Sequence, residues 1–130
     1  MLQIVPMQEK DREEAICRET AGADAESRVL EMTDGEESLG HVVVSLKEDA
    51  LWIHGFSVNG RTDFSAEKPD MGTVFILDTL MRSAASFGEV NGANCIKTTF
   101  PDFFDFFKLR HFTVEADHAE TPMTTIVHYE

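Results

Sequence analysis

The stretch SLGHVVVSLKEDALWIHGFSV, residues 38–58, decides how the whole chain is read. Two β-rich runs, HVVVSL and ALWIHGFSV, flank the tight connection Lys47-Glu48-Asp49. β-branched and aromatic side chains suit a pleated surface, and so short a polar connection joins antiparallel neighbours. The pattern predicts an antiparallel hairpin. Side chains alternate across a strand, which sets Trp52, His54 and Phe56 on one face and Leu51, Ile53 and Gly55 on the other. Both sets are mostly apolar, so this strand is expected inside a sheet covered on both sides. Gly55 within it suggests a bulge or a close approach by another group.

Outward from the hairpin, the first half reads as further strands and one helix. LQIVPM (2–7) is a short apolar run, and QEKDREEAICRETAGA (8–23) is helix-forming, with a narrow stripe at Ala15, Ile16 and Cys17. Glu13 and Glu14 are expected in solvent, and Gly22 is a stop signal. SRVLEMTDGEE (27–37) alternates like a strand and ends in a turn signal. Beyond the hairpin, NGRTDFSAEKPD (59–70) is polar and aperiodic, so it reads as a loop. MGTVFILDTLMRSAASF (71–87) is helical: Met71, Val74, Leu77, Leu80, Met81 and Ala84 recur every three to four residues. Asp70 is a good N-cap and Gly88 a good C-terminal stop. Asp78 and Arg82 stand one turn apart on another face. NCIKTTF (94–100) reads as a strand, PDFFDFFKL (101–109) as a helix opened by proline, and FTVEA (112–116) and TTIVHY (124–129) as strands. The order is β-α-β-β-β-α-β-α-β-β, with helices crossing over a mixed sheet in a single domain over residues 1–130.

Composition narrows the function classes. The chain has 130 residues and a formal net charge of -13, from 24 acidic and 11 basic side chains. Such a charge repels phosphate backbones and anionic lipid, so neither a nucleic-acid nor a membrane role is expected. The first residues lack the basic and long apolar regions of a signal peptide, and no apolar run approaches the roughly 20 residues that span a bilayer. The two cysteines, Cys17 and Cys95, form no CxxC pair, which fits free thiols in a cytoplasmic protein, with Cys95 a small buried hydrophobe. The histidines show no metal-ligand spacing, and there is no GxSxG elbow or P-loop, so no metal site is expected.

The element order, with a loop-to-helix step after a long central strand, resembles the GNAT superfamily of N-acetyltransferases. Two stretches carry the likeness, IHGFSV…MGTVFILDTLMRSAASFG and FFKLRHFTV, within residues 27–129. The resemblance implies an α/β (α+β) fold with a mixed, mostly antiparallel central sheet and helices on both faces. It implies a fourth and fifth strand that splay apart, with acetyl-CoA in the gap. The pantetheine arm would pair with Phe56, Ser57 and Val58 like an added strand. The pyrophosphate would rest on backbone N–H groups at Met71, Gly72 and Thr73, where a helix N-terminus favours anions, with Lys68 nearby.

Several chemistry-bearing letters depart from the family pattern. In EKPDMG, Gly72 matches the last loop glycine, but Glu67 stands where Gln or Arg is usual and Asp70 where the first glycine is usual. Each acid would cost a bound pyrophosphate on the order of 1 kcal/mol. Phe107 takes the place of the usual tyrosine, the candidate acid for the leaving thiolate, and has no proton to give. His111 replaces a glycine and Pro101 a common asparagine. The run PDFFDFFKLRHF (101–112), with five phenylalanines, reads most simply as a packing helix. Asp102 and Asp105 suit its first turn without catalysis.

Amine acetylation needs a group to take the ammonium proton. His54, on the strand that lines the implied cleft, titrates in the right range, and Glu31 on a neighbouring strand is a second candidate. Each has a bland alternative, a strand residue packed beside its neighbours. The leading expectation is an acetyl-CoA-dependent N-acetyltransferase acting on a small amine. The alternative is a GNAT-fold binding protein that has lost cofactor chemistry and pairs as a homodimer through exposed aromatic surface. An unrelated α+β fold is a third possibility.

Overall fold

A computed structural model of the chain describes residues 2–20, 23, 27–47, 49–58, 71–98, 113–114 and 119–122. The elements are β1 (Leu2–Pro6), α1 (Lys10–Glu19), β2 (Arg28–Asp34), β3 (Glu37–Lys47), β4 (Ala50–Val58), α2 (Met71–Val90), β5 (Cys95–Thr98), β6 (Thr113–Val114) and β7 (Ala119–Pro122). The strands form one mixed sheet in the order β1-β2-β3-β4-β5-β7-β6. Every pairing is antiparallel except β4 with β5, which is parallel because α2 carries the chain back across the sheet. The expected element order through β5, the hairpin and the mixed sheet are therefore present. The strand beside β5 is Ala119–Pro122, which the sequence reading had passed over. The helix expected at 101–109 and the strand at 124–129 lie outside the described residues, as do the Gly22 stop and the Asp70 cap.

α1 and α2 cover opposite faces of the sheet. Alternate residues of β2 and β3 show this: Leu30, Met32, Val42 and Val44 pack beneath α2, while Val29 and Val43 pack with Met7 and Cys17 beneath α1. The α2 side is the larger core, where Leu77, Leu80, Met81 and Ala84 of the helix meet Leu51, Ile53 and Ile96 of the sheet, all fully buried. Its stripe follows the expected period but begins only at Ile76 and Leu77. Met71 is 90% exposed because the first turn overhangs the sheet. Gly88 does not stop the helix. A Cβ there would lie 2.9 Å from the Leu51 Cβ, so this glycine lets helix and strand meet, and the chain turns instead at Gly92, with φ of 90°.

β4 departs from simple alternation. Val44 pairs with Ile53 but Val43 pairs with Gly55, which leaves His54 as an extra residue in a β-bulge. Every side chain after it changes face. Phe56 and Val58 therefore join Leu51 and Ile53 under α2, and Gly55 turns toward α1, where its absent Cβ would lie 3.2 Å from Thr20 Cγ2. The expected grouping of Phe56 with Trp52 and His54 is thus wrong from the bulge onward. The double-sided burial and the bulge suggested by Gly55 are as expected. Glu13 also differs from expectation. Its carboxylate is mostly buried and accepts hydrogen bonds from the Val29 amide at 3.1 Å and Arg28 Nε at 3.2 Å, tying α1 to the start of β2. Glu14 is exposed, as expected. Cys95 is half-buried rather than buried, and both cysteines are free thiols. Among the described residues, no helix is long and apolar enough to cross a membrane.

Candidate functional site

The described part of β5, Cys95–Thr98, pairs in parallel with β4 from Ala50 to Ile53 at the sheet centre. From His54 to Val58, β4 continues to pair with β3. α2 runs antiparallel to β4. Ile76, in its second turn, lies close to Gly40 and Val58, while Gly88 near its other end touches Leu51. The N-terminal turn of α2, with Met71, Gly72 and Thr73, is thereby brought to the Val58 end of β4. The first N–H groups of a helix have no intrahelical acceptor, so this end attracts anions. Met71 and Gly72 are exposed there and Thr73 is half-buried. Lys68, Glu67 and Asp70 lie outside the described residues. Of the three β4 residues expected along the cofactor, Phe56 and Val58 point into the α2 core and Ser57 points to the α1 face.

The α1 face of this part of the sheet carries a polar row. Glu31 on β2 stands opposite His41 on β3, and His41 opposite Ser57 on β4. Glu31 is half-buried, forms a 2.7 Å ion pair with Arg12 of α1 and accepts a 2.9 Å hydrogen bond from Ser38 Oγ. Ser57 is buried and His41 half-buried. Burial holds the His41 pKa below its usual 6.5; the Glu31 carboxylate pulls the other way and the Arg12 guanidinium adds to the lowering. Sequence reasoning missed Arg12, Ser38 and His41, because the row exists only through strand register.

His54 lies further down the same face. Its Nε2 is 2.7 Å from Ser45 Oγ, and both side chains are buried. Trp52 precedes it, with Lys97 Nζ of β5 5.4 Å from the centre of the indole ring. The two proton acceptors suggested by the sequence, His54 and Glu31, are therefore on one face of the sheet but are not brought into contact. A concavity between β1, α1 and the start of β2, lined by Met7, Glu13, Cys17, Arg18 and Arg28, includes neither of them. Among the described residues, no group of three or more His, Cys, Asp or Glu side chains is placed to hold a metal ion.

Solved structures show what this arrangement resembles. The chain superimposes on a ribosomal-protein alanine N-acetyltransferase from Escherichia coli with a TM-score of 0.63 and 10% identity, over 95% of this chain and 94% of that one. An acetyltransferase of the GNAT family from Staphylococcus aureus gives 0.60 at 9% identity, over 95% and 99%. The chain has the GNAT acyltransferase fold. An acetyltransferase from Bacillus subtilis solved in complex with CoA has the same fold, with a TM-score of 0.56 and 12% identity over 89% of this chain and 79% of that one. No family model and no curated protein sequence matches the chain. Identities this low speak for the fold alone, and the GNAT-like reading is correct at that level.

Proposed function

We propose that this protein is an acyl-CoA-dependent N-acyltransferase, with acetyl-CoA as donor substrate and a small amine as acceptor. The observation that carries the reading is the fold shared with solved GNAT acetyltransferases, in which the N-terminus of α2 stands at the Val58 end of β4. An extended pantetheine arm needs a row of main-chain donors and acceptors, and the family pattern would lay it along Phe56, Ser57 and Val58. A pyrophosphate needs N–H groups at a helix start, where Met71, Gly72 and Thr73 stand, with Lys68 three positions earlier in the sequence as a cation. The CoA-bound B. subtilis structure on the same fold supports this donor. His54 and Glu31 are the sequence's candidates for taking the amine proton. Both lie on the α1 face of the sheet.

Calorimetric titration with acetyl-CoA, using ATP as a control, tests the reading. Micromolar binding of acetyl-CoA, not shared by ATP and weakened by Gly72→Asp, is the expected result. No heat at millimolar acetyl-CoA would overturn it and leave the alternative, a GNAT-fold binding protein that has lost this chemistry.

A further inference from the structure

We infer that α1 is a strap that opens from the sheet as a unit of its own while α2 and the strands stay folded. A polar latch at Arg12 and Glu13 and one buried side chain, Cys17, hold it closed. The inference is independent of the acyltransferase reading.

The two helices differ in what they bury. α2 is 20 residues long and sinks Leu77, Leu80, Met81, Ala84, Ala85 and Gly88. α1 is 10 residues long, and Cys17 is its single buried residue. Glu13 and Ile16 are half-covered, and the rest of α1 is exposed. A helix this short is marginal by itself in water. Glu9, at its N-cap, makes no side-chain bond to the first turn, so capping adds little. α1 therefore persists only while docked, and undocking and unwinding are one event. Segments with few buried apolar contacts are the ones that open at the lowest free energy.

The docking contacts are named and few in kind. Arg12 pairs with Glu31 of β2 at 2.7 Å, with the arginine side chain 43% exposed, so solvent screens the pair. Glu13 is the firmer half of the latch. Its carboxylate accepts from the Val29 amide at 3.1 Å and from Arg28 Nε at 3.2 Å. One turn on, Cys17 packs with Met7, Val29 and Val43, and its thiol donates to the Ser27 carbonyl oxygen at 3.8 Å. Opening would withdraw Arg12 and Glu13 from β2, uncover Val29 and Val43, and bring the Cys17 thiol into water. The α2 core lies on the other face of the sheet and shares none of these residues.

The thiol supplies its own reporter. The full chain is treated with iodoacetamide at urea concentrations below the unfolding transition. Peptide mass spectrometry reads alkylation at Cys17 separately from the half-buried Cys95. When opening and closing are fast, the Cys17 rate measures the open population. That rate should rise with urea much less steeply than global unfolding does, because only the α1 seam becomes exposed. Glu13→Ala should raise it about 5–30-fold and Arg12→Gln about 2–5-fold. Ile96→Val loosens the α2 core on the opposite face, so it should lower global stability and leave the Cys17 rate unchanged. Hydrogen exchange of the wild type should show α1 amides exchanging ahead of those around Leu77–Ala85 of α2.

A Cys17 thiol that stays protected until the global transition would overturn the proposal. So would a Cys17 rate that rises in Ile96→Val in step with the loss of global stability, since α1 would then open only with the whole chain. Rates unchanged in both Glu13→Ala and Arg12→Gln would overturn the latch.

Discussion

Gly40→Ala is the sharpest single test of how β3 holds the Val58 end of β4. Gly40 pairs with Val58, and a Cβ built on it collides with the Ser57 carbonyl oxygen, with Val58 Cα at 3.4 Å and Ile76 Cγ2 at 3.5 Å. The nearest obstacle is main chain, so no rotamer change relieves it and the two strands must part. Overpacking of this kind costs about 1–3 kcal/mol, and the upper end applies where backbone must move. Removing a glycine from the unfolded chain returns about 0.4–1 kcal/mol. The net loss is therefore about 2 kcal/mol. For a chain of 130 residues, unfolding entropy converts this into a Tm lower by about 8 °C. The assay is urea and thermal denaturation, with acetyl-CoA affinity measured in the same samples, since the strand that moves is the one proposed to pair with pantetheine. Gly35→Ala is the control. That turn glycine has φ of 64° with nothing near its missing Cβ, so its loss is about 1–2 kcal/mol of backbone strain with unchanged affinity. Gly40→Ala that binds acetyl-CoA as the wild type does, at wild-type Tm, would refute the reasoning.

Three further outcomes are expected. Glu13→Ala should destabilise by about 1–2 kcal/mol, because the Val29 amide and Arg28 lose a shared carboxylate; an unchanged urea midpoint would show that water replaces it. Ser45→Ala should cost about 1–2 kcal/mol and shift the His54 ring resonances, and a variant as stable as the wild type would mean the Ser45–His54 bond contributes nothing net. His41 is held below 6.5 in the folded protein while the unfolded chain keeps its ordinary value, so the unfolded state binds more protons between the two. Stability should thus fall as pH drops from about 6.5 and level off below the folded pKa. His41→Gln should remove that component from urea-derived stabilities, and a variant keeping the full wild-type slope would contradict it.

Much of the framework was legible in the residues. The runs HVVVSL and ALWIHGFSV became the hairpin of β3 and β4, and the three-to-four spacing of Leu77, Leu80, Met81 and Ala84 became the buried stripe of α2. These are local patterns: the period of the apolar side chains selects strand or helix, and burial of one face is enough to choose between them. Glu13 shows where such reading stops. Its neighbours mark it as a surface acid, and only the approach of β2 supplies the Val29 amide that it accepts.

The candidate site was legible in its types and not in its arrangement. Sequence alone determined that Glu31, His41, His54 and Ser57 lie on strands, and that the helix after β4 begins with an anion-friendly turn. Tertiary structure decided which of them meet. The turn after β2 pairs Asp34 with Glu37, and that register carried on unchanged would set Glu31 opposite Gly40. An extra residue, Leu39, shifts the pairing so that Glu31 faces His41. The β4 bulge at His54 shifts the next pairing in turn, so that His41 faces Ser57 rather than Phe56. Each one-residue step moves every later side chain to the other face. Gly55 hints at the second step, but which residues end up opposite one another is set only when the strands pair, so no single local run of residues states it.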